Sequence, residues 1–137
     1  MTDAQLIEAA RKAREAAYVP YSHFPVGAAV LAEDGTLYTG CNIENSSFGL
    51  TNCAERTAIF KMVSEGRRRF TAIAVIGDTD GPCSPCGACR QVMSDFGPDA
   101  RVILTNLKGD TLVTSVRELL PGAFAPSDLP ESKEENA

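Results

Sequence analysis

The stretch "CSPCGACRQV", residues 83–92, places cysteines at 83, 86 and 89, two overlapping C-x-x-C pairs that share Cys86. One such pair supplies only half the ligands of a closed zinc site. Upstream, "TNCAERTAI", residues 51–59, carries Cys53, with Glu55 two residues later and Arg56 three residues later. If Cys53 joins Cys86 and Cys89, three thiolates leave a tetrahedral zinc one vertex short. An open vertex filled by water marks a catalytic site. Zinc with three thiolates carries net negative charge, so a cation should offset it. Arg56 and Arg90 each stand close enough in sequence to donate to a sulfur. Glu55 is placed to lie near the metal without binding it, as a proton carrier.

Each feature alone has a plainer explanation. Glu55 could complete a capping box with Asn52. Cys53 could be a buried thiol. Cys86 and Cys89 could form a redox pair. A closed four-cysteine site is possible if Cys83 or Cys41 joins. The conjunction favours the catalytic metal: C-A-E at one helix start, P-C-x-x-C at another, and a buried strand between them.

These residues need elements to position them. Asn52 is a good N-cap, which puts Cys53 and Glu55 in the first turn of a helix over 53–65, ended by Gly66. Its apolar face is Ala58, Ile59, Met62 and Val63. Ser84 can cap a third helix, with Pro85 at its first position, Cys86 and Cys89 in its opening turns, and Gly97 beyond its end. Helix N-termini favour thiolates, so convergence of these two ends would gather the sulfurs. A first helix, capped by Thr2 or Asp3, carries the stripe Leu6, Ala10, Ala13, Ala17. Residues 26–32 and 36–44 read as a hairpin around "EDG". Residues 72–77 and 101–105 read as strands buried on both faces. Residues 111–115 form a last strand and 116–121 a short helix. The order α-β-β-α-β-α-β-β-α implies an α/β layered fold. Residues 1–125 make one domain, and 126–137 a polar, proline-broken tail whose end is expected to be mobile.

The totals agree with a small-molecule enzyme. The chain has 137 residues and a formal net charge of −5, which argues against a polynucleotide partner. The basic run Arg67-Arg68-Arg69 reads as cations complementing a helix C-terminus. No apolar run is long enough to span a membrane. The N-terminus lacks a signal-peptide core, so the expected location is cytoplasmic. Five cysteines, an odd number, favour metal or catalytic use over disulfides.

The blocks "YSHFPVGAA", "CNIENSSFG", "TNCAERTAI", "SPCGACRQV" and "LLPGAF" resemble, in order, those of the small zinc-dependent cytidine deaminases, covering most of residues 18–125. The resemblance implies a three-layer cytidine deaminase-like fold, with a mixed sheet of about five strands covered by helices. It implies one Zn²⁺ per subunit on Cys53, Cys86 and Cys89, with Glu55 shuttling protons and Arg56 partly neutralising the thiolates. It implies that Phe24 packs on the pyrimidine ring, that Asn42 and Glu44 bind the ribose 3′-hydroxyl, and that backbone near Ala54 orients the ring. It implies a homotetramer in which Phe124 reaches a neighbour's site. The reaction expected is deamination of cytidine and 2′-deoxycytidine in pyrimidine salvage. Rivals are a blasticidin S deaminase-like enzyme and a structural zinc module that binds a protein partner. Phe48 stands where many relatives have tyrosine. Cys41 and Cys83 read as thiols outside the metal site, and His23 as polar surface.

Overall fold

The computed structural model of the chain describes residues 1–130. The end of the tail, expected to be mobile, lies outside the described residues. Five strands form one sheet: β1 (Val26–Ala32), β2 (Leu37–Cys41), β3 (Phe70–Gly77), β4 (Arg101–Asn106) and β5 (Thr111–Ser115), in the order β2-β1-β3-β4-β5. Only the β3–β4 pair is parallel. The α/β expectation of a mixed sheet under helices holds.

Helix α1 (Asp3–Arg14) packs on one face of the sheet. Helices α2 (Ala54–Ser64), α3 (Gly87–Phe96) and α4 (Val116–Leu119) accompany the other face. Strand alternation sorts the core into two clusters. Ala28, Val30, Ile73, Val75, Val102 and Leu104 point toward Ile59, Met62, Met93 and Val116. Ala29, Ala72, Ala74, Ile76 and Ile103 point toward Leu6 and Ala10 of α1. The α1 side is rich in alanine, which lets that helix lie close.

The start of α1 follows its sequence signals: Thr2 caps it in a reciprocal box with Gln5. The helix ends before Ala17, so the last residue of the expected stripe lies outside it. Gly66, at φ +95°, closes α2. The amides of Gly66 and Arg67 reach back to the carbonyls of Val63 and Met62, a Schellman closure. The arginine run then serves helix ends and a turn. Arg68 donates to Val63 O at 2.7 Å and Arg69 to Asp95 O at 2.6 Å, while Arg67 pairs with Asp34. Among the described residues no helix is long and apolar enough to cross a membrane.

One close approach fixes where α2 sits. A Cβ on Gly40 of β2 would fall 2.6 Å from Ala58 N and 2.7 Å from Ala54 O. Backbone therefore rests on backbone, and no side chain can give way. Gly40→Ala should lower stability by about 1–3 kcal/mol, as overpacking does. Urea denaturation tests this. A change below about 0.5 kcal/mol, the range of ordinary surface substitutions, would show that α2 can shift freely on β2.

Candidate metal centre and base pocket

The helices that carry the sulfurs start later than their cap signals suggest. Cys53 itself is the N-cap of α2, and Cys86 the N-cap of α3; neither makes a side-chain cap hydrogen bond. Asn52 turns its amide onto Thr57 Oγ1 at 3.0 Å instead. Ser84 Oγ accepts from Arg90 Nη2 at 2.9 Å. Both thiols are thus left free at the positive ends of two helices.

These ends converge. The sulfurs of Cys53, Cys86 and Cys89 lie within 4.8 Å of one another, and Cys53 Sγ to Cys86 Sγ is 3.7 Å. Zinc–sulfur bonds of about 2.3 Å at tetrahedral angles require sulfurs about 3.8 Å apart. The donor set therefore fits a tetrahedral zinc. Cys41 and Cys83 do not join the cluster, and no fourth His, Cys, Asp or Glu does among the described residues. A closed four-cysteine site is not what these residues form.

The electrostatics follow from this crowding. A hydrogen bond from Cys89 holds the Cys53 thiol down at about 5, helped by Arg56 and Cys86. The Cys89 thiol, as the donor in that bond and buried besides, moves well upward. Arg56 Nη2 donates to Cys53 Sγ at 3.2 Å. Of the two arginines considered, Arg56 is the one that reaches sulfur. Arg90 binds elsewhere: Nε to Pro85 O at 3.0 Å and Nη1 to Leu119 O at 2.9 Å. It ties the segment before α3 to α4. No local pattern announced that role.

Glu55, in the first turn of α2, is only 4% exposed. It forms no capping box with Asn52. Burial raises its carboxyl to about 7, and the Cys53 thiolate adds to the rise. Ala54 beside it is fully buried. Cys83 is also close to this acid: burial first, then the Glu55 charge, push its thiol up to about 11.

Phe24 meets this region at the end of β3. A Cβ on Gly77 would lie 2.9 Å from Cys83 Sγ and 3.4 Å from Phe24 Cζ. The missing side chain leaves room for ring and thiol together. Asn42 fixes the Phe24 segment, donating from Nδ2 to Phe24 O at 2.8 Å and accepting from Val26 N at 2.9 Å. Glu44 Oε1 accepts from the amides of Tyr21 and Ser22 at 2.9 and 3.1 Å. Hydrogen bonding from Ser22 foremost holds Glu44 below the usual carboxylate range. Phe48 stacks edge-on against Tyr21, with ring centroids 5.3 Å apart. His23, at φ +56°, is exposed in the same loop. Phe124 is 59% exposed, and its carbonyl accepts from Gln91 Nε2 at 3.0 Å.

A sheet that gathers two helix starts around three sulfurs and a buried acid defines a metal-dependent enzyme centre. Residues 1–105 match the family model described as "Cytidine and deoxycytidylate deaminase zinc-binding region", and the chain belongs to that family. The three-cysteine cluster is its zinc site. The chain is 63% identical over 132 residues to a cytidine deaminase of Sporosarcina psychrophila, covering 96% of this chain and 97% of that one. It is 61% identical over 125 residues to a cytidine deaminase of Halalkalibacterium halodurans, covering 90% and 95%. The crystal structure of a cytidine deaminase from Burkholderia pseudomallei superposes with a TM-score of 0.89 at 58% identity. That match covers 90% of this chain and all of the other. The expected cytidine deaminase-like fold is thereby confirmed.

The buried acid has a thermodynamic signature in metal-free protein. Unfolded, Glu55 ionises near 4.5; folded, near 7. Between these values the native state holds a proton that the unfolded chain has released. Stability therefore falls as pH rises through the window, and the deficit is complete above it. Metal-free Glu55→Gln should be more stable than the metal-free parent, the gain growing across that window to on the order of 3 kcal/mol. Urea melts with chelator at about pH 4.5 and about pH 8 measure it. An equal difference at both pH values would show that Glu55 is not the titrating group.

Proposed function

We propose that the chain hydrolyses cytidine and 2′-deoxycytidine to uridine and 2′-deoxyuridine with release of ammonia. The observation that carries this reading is Glu55: a buried carboxyl brought near neutrality, two residues from a sulfur ligand in a three-sulfur site. The relatives named as cytidine deaminases support the substrate.

Zinc held by Cys53, Cys86 and Cys89 would supply Lewis acidity that lowers the pKa of the attacking water. Glu55 takes a proton from that water and delivers it to ring N3, which makes C4 electrophilic. After oxygen adds to C4, Glu55 takes the proton of the new C4 hydroxyl and passes it to the exocyclic nitrogen; the C4–N bond breaks, the C4 carbonyl forms, and ammonia leaves. A group poised near 7 does both steps well, since it neither holds nor refuses a proton strongly. Arg56 offsets the thiolate charge through Cys53. Phe24 offers an apolar face to the pyrimidine, and backbone around Ala54 orients it. The second oxygen of Glu44 and the second N–H of Asn42 are available to a sugar 3′-hydroxyl. Their other atoms hold the 21–26 loop, so the same residues place the base clamp and the sugar.

This reading includes a cytoplasmic role in pyrimidine salvage and a homotetramer with shared sites. The exposed rings of Tyr21, Phe48 and Phe124 support the assembly, with Phe124 lent to a neighbour.

Glu55→Gln separates this enzyme from a structural zinc module. It should retain one zinc per subunit and lose turnover by about 10²–10⁴-fold, the usual worth of a positioned proton carrier. Loss of cytidine absorbance in the ultraviolet reports the rate. Turnover within about tenfold of the parent would remove Glu55 from the chemistry. The parent should also accept 2′-deoxycytidine at a rate comparable to cytidine and leave blasticidin S untouched. A strict need for the 2′-hydroxyl would overturn the roles given to Asn42 and Glu44.

A further inference from the structure

Cys86 stands at the end of a loop that leaves β3 at Gly77, and something must hold that loop in place. Arg90 grips only its last residues, Ser84 and Pro85. The earlier part runs along the end of β4, where Asn106 sits opposite Gly77 in the parallel register. Asn106 is fully buried, and both ends of its carboxamide are engaged. Oδ1 accepts from the amides of Lys108 and Asp110, each at 3.0 Å. Nδ2 lies 2.9 Å from Thr79 O and 2.9 Å from Asp110 Oδ2. The carbonyls of Asp80 and Gly81 lie slightly further off, at 3.2 and 3.3 Å. An amide nitrogen has two hydrogens, so the two short contacts take them and the other carbonyls share. The next fastening is backbone: Cys83 N donates to Thr105 O at 3.1 Å.

We propose that Asn106 is a positioning residue for the metal centre: its carboxamide moors the 79–83 segment to the end of β4, so that Cys86 arrives opposite Cys53. The proposal rests on the three-cysteine zinc site. Oδ1 shapes the turn after β4, and Nδ2 holds the loop before α3; one side chain welds the two loops together. Lys108 Nζ also reaches Asp80 Oδ1, at 3.3 Å, but that pair is exposed. A side chain without the donor would leave the Thr79 carbonyl without this partner and the loop free to drift.

Asn106→Asp removes the donor and keeps the acceptor, since one oxygen still accepts from the amides of Lys108 and Asp110, and it turns the contacts to Thr79 O and Asp110 Oδ2 from attractive to repulsive. The comparison is Val30→Ala, a core truncation four residues along β1 from the end that pairs with Gly77. Zinc release to a chromophoric chelator, read beside the urea midpoint of each variant, is the measurement. Asn106→Asp should release zinc about 10- to 100-fold faster than Val30→Ala at matched stability, as loss of a ligand-orienting partner does. Release within about twofold of Val30→Ala would reduce Asn106 to a structural role and overturn the proposal. A parent protein that binds no zinc would overturn the zinc site as well, so the two failures are told apart. Should Asn106→Asp not fold, hydrogen exchange on the metal-free parent decides. The Lys108, Asp110 and Cys83 amides should stay protected while the α3 start opens. Free exchange at Lys108 and Asp110 would also overturn it.

Discussion

Gathering three sulfurs in one small volume is the constraint on which the rest of the structure depends. Thiolates repel, and burial penalises each of them. The protein answers with position rather than with bulk positive charge. Two helices begin at the cluster, so unpaired backbone N–H groups and helix dipoles surround it. Arg56 adds the one full positive charge seen to donate to a sulfur. Using Cys53 and Cys86 as the N-caps puts two of the three sulfurs where a serine oxygen would normally sit. That forgoes ordinary capping in exchange for free thiolates facing one point.

Two helix starts meet only if the sheet brings them there. The parallel β3–β4 pair forces a crossover, so α3 begins beside the carboxyl end of β3. The antiparallel hairpin returns β2 to the same edge, and α2 follows it, seated on Gly40. Val26 pairs with Gly77 at that end. Asn42 and Glu44, just past β2, therefore hold the loop that carries Phe24. The metal centre and the Phe24 loop are products of one sheet end, and Gly77 is the gap that admits both Cys83 and Phe24.

The metal residues were legible in the sequence because their geometry is local. Cysteines three apart on one helix share a face, and a glutamate two beyond a ligand shares its turn. The core was legible for the same reason, as short apolar runs for β3 and β4 and apolar stripes on α1 and α2. Cap positions were not, because Asn52 and Ser84 are better caps than cysteine by chemistry alone. Only the metal site explains why the helices begin at the thiols. The choice between Arg56 and Arg90 was not legible either. Both follow a cysteine at helical spacing, and the carbonyls that claim Arg90 come from a loop and a distant helix. Asn106 escaped notice because its partners lie on a different loop; an asparagine at a strand end before a glycine turn reads as turn chemistry and nothing more. Strand β2 proved shorter than its apolar pattern, since Ile43 forms only isolated bridges to Tyr18 and Asn52.

A site assembled this way cannot be a source of stability without its cation. Glu55 is buried and faces the Cys53 thiolate, and together these raise the free energy of the charged native state by more than Arg56 lowers it. The fold must therefore stand on the two apolar clusters and the five-strand ladder. The division of labour is visible in residue size. Alanines line the α1 side where a helix must approach closely, and isoleucine, valine and methionine fill the α2–α3 side beneath the centre. Metal binding then adds stability through mass action, since the unfolded chain offers no preformed trio of thiolates. The burial that raises the Glu55 carboxyl and the crowding that gathers the sulfurs have the same origin, the convergence of α2 and α3 at one sheet end.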